Sequence, residues 1–126
     1  MTLDNKVIVL TGATGGIGTA VTRRYCQLGA SLVASDIDEV GGLELEKTLR
    51  DEGYDVTFVA GDVTQSSTAR AIAEVVTERH GRLDVLHNNA GVLIGKGVLD
   101  TTDEEWDLMI NVSLRGTFLM TRGWCR

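Results

Sequence analysis

The sequence predicts an α/β fold: a doubly wound parallel sheet of about four strands with helices on both faces. Two observations carry that reading. From residue 6 onward, short β-branched apolar runs alternate with longer amphipathic stretches, in the order β-α-β-α-β-α-β-α. The conspicuous glycine and polar clusters (residues 12–18, Asp36, Asp62 with Val63, and residues 88–91) all fall where a predicted strand ends. Ligands of such sheets sit at the carboxyl ends of the strands. Right-handed crossovers then give a strand order of 3-2-1-4, with the switch point between the first and fourth strands.

Each element has its own justification. Residues 6–11, KVIVLT, are an apolar run of the kind found in strands buried on both faces. Beyond a glycine turn, GTAVTRRYCQLGA places Ala20, Val21, Cys26 and Leu28 along a helix that Gly29 ends. SLVASD is the second strand, closing on Asp36. The next helix carries Val40, Leu43, Leu45 and Leu49 on its apolar side, with Glu46 and Arg50 four apart on its wet side. DVTFVAGD alternates as a third strand, and SSTARAIAEVVTERHG reads as a helix capped by serine or threonine and ended by His80 and Gly81. LDVLHNNAG is a fourth strand running into a polar turn. A last helix lies within LDTTDEEWDLMINVSLRGTFLMT, with Thr102 or Asp103 as N-cap, acids in its first turn and Trp106 packing near its start.

Composition narrows the function classes. A chain of 126 residues suits one domain, here residues 1–126, and is short for two. No apolar run approaches the ~18 residues a membrane span needs, and MTLDNKVIVL does not read as a signal peptide. A net charge of −6 argues against nucleic acid or an acidic membrane surface as the main partner. Cys26 and Cys125 show neither CxxC nor metal-ligand spacing, so free thiols, a reducing cytoplasmic setting and no metal site are expected.

The strand-end clusters carry the candidate chemistry. TGATGGIG follows the first strand directly, and its glycines permit positive φ and close approach of backbone N–H groups to a pyrophosphate at a helix N-terminus. It fits both TGxxxGxG, through Gly12, Gly16 and Gly18, and TGxxGxxG, through Gly15. Asp36, eighteen residues beyond Gly18, can accept hydrogen bonds from both ribose hydroxyls of an adenosine and would repel a 2′-phosphate. With no Arg or Lys in the turn or directly after Asp36, NAD is expected over NADP. Asp62 and Val63 can face an adenine amino group and ring, although an aspartate before a helix is also an ordinary cap. Asn88 and Asn89 suit bracing of neighbouring strand ends. Asn111 is a polar residue within an apolar helix, open to a functional or an ordinary exposed reading. His80 and His87 have no ligand-spaced partners and read as structural.

Taken together, TGATGGIG, Asp36, GDVT, NNAG and the Asn111 helix resemble the short-chain dehydrogenase/reductase family, in its order and spacing, over residues 4–122. The double asparagine is similar to the compact single-domain branch, which selects the TGxxxGxG register. The resemblance implies a Rossmann-type sheet and a nicotinamide cofactor. Gly12, Thr14, Gly16, Ile17 and Gly18 would hold the pyrophosphate, Asp36 the adenosine ribose, and Asp62 and Val63 the adenine. Asn89, Ala90 and Gly91 would hold the nicotinamide-side ribose, and Asn111 would be the active-site asparagine of a proton relay. It also implies an alcohol/carbonyl substrate in the complete enzyme.

One departure stands out. The family's acid/base is a tyrosine in YxxxK preceded by a serine, whereas Tyr25 and Tyr54 are followed four residues later by Gly29 and Phe58. The sequence therefore reads as the first half of such an enzyme, incomplete at its C-terminus and not competent alone. The alternative is a non-catalytic nucleotide-binding or partner-binding module. In that reading Leu114, Phe118 and Leu119 form an exposed apolar side that a further copy of the chain, in a homo-oligomer, or another partner covers.

Overall fold

The computed structural model describes residues 1–125. Its strands are β1 (Val7–Thr11), β2 (Ser31–Asp36), β3 (Val56–Ala60) and β4 (Val85–His87). Its helices are α1 (Gly16–Gln27), α2 (Glu39–Asp51), α3 (Ser66–Arg79), α4 (Asp103–Ile110) and α5 (Gly116–Trp124). The sheet is parallel and ordered β3-β2-β1-β4, as the crossover rule requires. Val9 lies beside Val33 on one side and Leu86 on the other, so β1 is an inner strand, and every one of its residues is buried.

Alternation along β1 splits the interior in two. Ile8 and Leu10 join Leu32, Ala34, Leu49 and Val56 under α1 and α2. Val7 and Val9 join Val33, Ile72, Val76 and Met120 under α3 and α5. A strand buried on both faces cannot alternate polar with apolar, which is why KVIVL reads as a continuous run.

Each helix buries part of its expected apolar set, Cys26 with Val21 beside it in α1 and Leu45 with Leu49 in α2, and leaves the rest outside. In α1 the buried positions are Gly18, Thr22 and Cys26, while Ala20 is exposed, because starting the helix at Gly16 brings the i, i+4, i+8 row onto the sheet. In α2 the inward row is Gly42, Leu45 and Leu49, and Val40 and Leu43 are 71% and 51% exposed. The reason is Phe58, whose ring lies across Gly42 where a Cβ would stand.

Glu46 and Arg50 form the expected i, i+4 ion pair at 3.9 Å, with the arginine exposed, and they have a second role. In a parallel ladder β3 turns alternate residues outward, leaving Val56 O and Phe58 N without a strand partner. Arg50 Nε donates to Val56 O at 2.6 Å, and Phe58 N donates to Glu46 Oε2 at 2.5 Å. The two side chains thus occupy the outer edge of β3 and block its pairing with another strand.

One helix cap also differs from expectation. The α3 N-cap is Gln65, whose side chain makes no cap bond. Asp62 organises the entry instead, its Oδ1 accepting from Thr64 N (2.9 Å) and Thr64 Oγ1 (2.8 Å). Thr102 caps α4 as expected, in a reciprocal box with Glu105. The long final helix is interrupted: Asn111–Arg115 is a π-helical segment in which the Gly116 N–H donates to Asn111 O, five residues back. Trp106 is 55% exposed and does not pack at the start of α4. Leu119 is 3% exposed and belongs inside, so only Leu114 and Phe118 of the expected apolar side face solvent.

The N-terminal entry to β1 is held by one carboxylate. Asp84 Oδ2 accepts the Val7 N–H at 2.8 Å and Arg82 Nε at 3.0 Å. These bonds, the backbone one foremost, hold the Asp84 carboxyl below its ordinary value. A carboxyl lowered on folding stabilises above its unfolded pKa of about 3.9, and that contribution is lost as pH falls through the folded value. Urea midpoints of Asp84→Asn and wild type are expected to differ at pH 7 and to converge as pH falls through the lowered carboxyl value. A constant difference across that range would exclude this role for Asp84.

Candidate functional site

All the strand-end clusters meet at one side of the sheet, over the β1/β4 switch point. Chain reversal after β1 begins at Gly12, whose φ of 68° is left-handed. Two further contacts leave no room there for a side chain. A Cβ on Gly12 would lie 2.9 Å from Ala90 Cα, and a Cβ on Gly18 would collide with the Gly12 carbonyl oxygen. Gly16 is different in kind, since a Cβ there meets nothing within 4 Å, and at Gly15 only the Gly12 carbonyl lies in ordinary contact. Gly12 and Gly18 are thus required by the protein's own packing, while the surface beside Gly15 and Gly16 is left open.

The turn is clamped from both neighbouring strand ends. Thr11 Oγ1, 1% exposed as a residue, accepts the Asn89 N–H (3.2 Å) and the Ala90 N–H (3.1 Å). Asn89 Nδ2 donates to Gly12 O at 3.2 Å, so the cross-bracing expected of the asparagine pair falls to Asn89. Asn88 instead turns to α5, where its Nδ2 donates to Thr121 Oγ1 at 3.4 Å. On the other flank Ala13 N donates to Ser35 O (3.1 Å) and Thr14 N to Asp36 Oδ2 (3.0 Å). Asp36 Oδ1 accepts from Asp38 N, and Asp36 O accepts from Gly61 N, both at 3.0 Å.

Above these strand ends lies a cleft of about 350 Å³. It gathers Gly12, Asp36, Asp62, Val63, Ala90, Gly91 and Asn111 of the expected site residues. Thr14, Gly16, Ile17 and Gly18 form the adjoining turn and first turn of α1, with the Ile17 side chain 73% exposed. No side chain caps this helix start, so its first N–H groups remain free to meet an acceptor. Asn111 enters the cleft at the first residue of the π segment.

Sequence reasoning missed several members of this site. Ile37, Thr64 and Leu108 line the cleft beside Gly61 and Val92, and Thr11 braces its floor from below. Ile37 is 71% exposed next to Asp36, an apolar residue between acids in SDID whose position was its signal. Thr11 carries no such signal, since a threonine often closes an aliphatic strand.

Other reactive groups stand apart from the cleft. The Tyr25 hydroxyl lies 2.9 Å from His87 Nδ1, and both residues are half-buried. Burial pushes the Cys26 thiol up to about 11, leaving it unreactive, whereas Cys125 is exposed; both are free. Among the described residues no cluster of His, Cys, Asp and Glu is arranged to hold a metal, and no helix is long and apolar enough to cross a membrane.

The profile of the family described as short chain dehydrogenase matches residues 6–126. The chain belongs to the short-chain dehydrogenase family. An uncharacterized oxidoreductase of Thermotoga maritima is 38% identical, over 95% of this chain and 47% of its own length. A Mycobacterium tuberculosis reductase of a hydroxy-methyl-oxo-hexahydroindene-carboxyl-CoA is 44% identical, again over 95% of this chain and 47% of its own. Among solved structures, a Burkholderia phymatum short-chain dehydrogenase/reductase in complex with NAD superposes with a TM-score of 0.91 at 32% identity. That match covers 98% of this chain and 44% of the other. A Mycobacterium smegmatis short-chain dehydrogenase gives 0.89 at 41% identity, covering 96% and 51%. The chain spans about half the length of the short-chain dehydrogenases it matches.

Proposed function

We propose that residues 1–126 fold as one unit that holds the nicotinamide dinucleotide of a short-chain dehydrogenase, with NAD preferred over NADP. The observation that carries this is the joining of the open glycine turn to the Asp36 carboxylate along one cleft. The fit is specific: free N–H groups at an uncapped helix start suit a pyrophosphate, and the open face of Gly16 leaves room for it. Gly12, Thr14, Gly16, Ile17 and Gly18 hold that group, and Asp36 takes the adenosine ribose. Asp62 and Val63, beside the exposed Ile37, take the adenine. Asn89, Ala90 and Gly91 hold the second ribose, and Asn111 stands toward the reacting end. The charged side chains lining the cleft are both acidic, Asp36 and Asp62, which disfavours a 2′-phosphate there.

A bound nicotinamide supplies hydride exchange with an alcohol/carbonyl pair. The accompanying proton needs an acid/base at the reacting carbon. Neither tyrosine fills that role, because Tyr25 is engaged with His87 and Tyr54 packs beside the core under α1 and α2. We therefore expect these residues to bind the dinucleotide without turning substrate over.

Isothermal titration is expected to give NADH at least ~10-fold tighter binding than NADPH, with no oxidation of simple alcohols by the same sample. Equal affinities would remove Asp36 as a discriminator, and steady turnover would overturn the non-competent reading. A second reading, a partner-binding module, draws on Leu114 and Phe118, which are 65% and 56% exposed on neighbouring turns. Light scattering separates the two, since that reading requires an assembly larger than one chain.

A further inference from the structure

Asp36 does more in this fold than end a strand at the ribose site. An ionised carboxylate has about four lone-pair positions, two on each oxygen. In the free protein one on Oδ2 accepts the Thr14 N–H and one on Oδ1 accepts the Asp38 N–H, each at 3.0 Å. One position on each oxygen is left, which matches the two hydroxyls of a single ribose. The same side chain thus faces the ribose with half its acceptors and the glycine turn with the other half.

We propose that Asp36 is a positioning residue for the phosphate-binding turn, so that grip on the ribose and grip on the pyrophosphate form one coupled unit. The inference rests on the dinucleotide-holding function argued above. Its physical basis is the placement of Thr14 between Gly12 and the start of α1. The Ala13 N–H is held by the β2 backbone through Ser35 O, but the Thr14 N–H has only the Asp36 side chain. Losing that acceptor frees the link that sets where the N–H groups of Gly16, Ile17 and Gly18 point. Ribose hydroxyls drawing on Asp36 also fix its carboxylate, and so the turn.

Electrostatics alone predicts the opposite sign for one decisive measurement. A carboxylate beside a diphosphate repels it, so removing the charge should tighten diphosphate binding if Asp36 touched only the ribose. The probe is therefore 2′,3′-dideoxyadenosine 5′-diphosphate, which has no ribose hydroxyls, compared by calorimetry with ADP. In Asp36→Ala the affinity for the dideoxy compound is expected to fall about tenfold, the loss of a charge-assisted bond in the turn. Asp36→Asn keeps an amide oxygen for the Thr14 N–H, so its dideoxy affinity is expected within about threefold of wild type while the advantage of ADP shrinks.

A measurement on the unaltered chain keeps the test independent of whether the alanine variant folds. Coupling is reciprocal, so saturating inorganic pyrophosphate is expected to tighten adenosine binding several-fold against sodium chloride of equal ionic strength. An unchanged or higher dideoxy affinity in Asp36→Ala, or adenosine binding indifferent to pyrophosphate, overturns the coupling and leaves the ribose contact standing. Failure of the unaltered chain to bind either diphosphate overturns the dinucleotide reading itself.

Discussion

Alanine at Gly12 is expected to lower stability by about 3 kcal/mol and to abolish dinucleotide binding with it. Two costs combine at that residue. Its φ of 68° is one that an L side chain adopts only under strain, typically ~1–3 kcal/mol. The added carbon would also sit 2.9 Å from Ala90 Cα, a backbone atom fixed by the bond to Thr11 and unable to swing aside. Overpacking against such a neighbour costs a further ~1–3 kcal/mol. The melting temperature should then fall on the order of 10 °C. Gly16→Ala is the control, because its Cβ meets nothing and alanine is the better helix residue by roughly 0.5–1 kcal/mol. It should melt at or slightly above wild type and lose affinity only for the dinucleotide. Equal melting temperatures for the two variants would remove the steric account of the turn.

Valine at Thr11 is the second large effect. The shape is kept, but two N–H groups, of Asn89 and Ala90, lose their common acceptor in one step. An unmet buried donor costs ~1–3 kcal/mol, and these two are partly buried, so a loss of roughly 2–4 kcal/mol is expected. Serine keeps the oxygen and should recover most of it, apart from the loss of one methyl. Urea denaturation of wild type, Thr11→Val and Thr11→Ser checks this, and equal stability of the two variants would refute it. The effect reaches the site because the same clamp carries Asn89 to Gly12 O and sets Ala90 and Gly91 along the cleft.

These two residues show how unevenly the site was legible. Gly12 and Gly18 stand out in TGATGGIG because reversal directly after a buried strand needs a residue without a side chain. Asp36 stands out because strand endings in a parallel sheet face the ligand side. Thr11 did not, since a threonine closing an aliphatic strand is common, and only the position of β4 reveals what its hydroxyl holds. Ile37 and Leu108 escaped for a related reason: apolar residues are expected in cores, and their exposure at a cleft is a property of the assembled fold.

Helix faces followed the same division. Glu46 and Arg50 form the i, i+4 pair that the sequence predicts, and beyond it they terminate the edge of β3, because Gly42 lets Phe58 under α2. Asn111 looked anomalous within an apolar helix, and the fold answers with a π segment that begins at that residue.

The sequence by itself determined the order of elements, the parallel sheet with β1 flanked by β2 and β4, and the side on which the polar clusters gather. Those follow from local periodicity and from the handedness of crossovers, which act on short segments. The tertiary structure alone decided that Thr11 bears the turn after β4 and that the Asp36 carboxylate holds the Thr14 N–H. These depend on backbone groups more than twenty residues apart meeting within hydrogen-bond distance, and no local pattern encodes such a meeting.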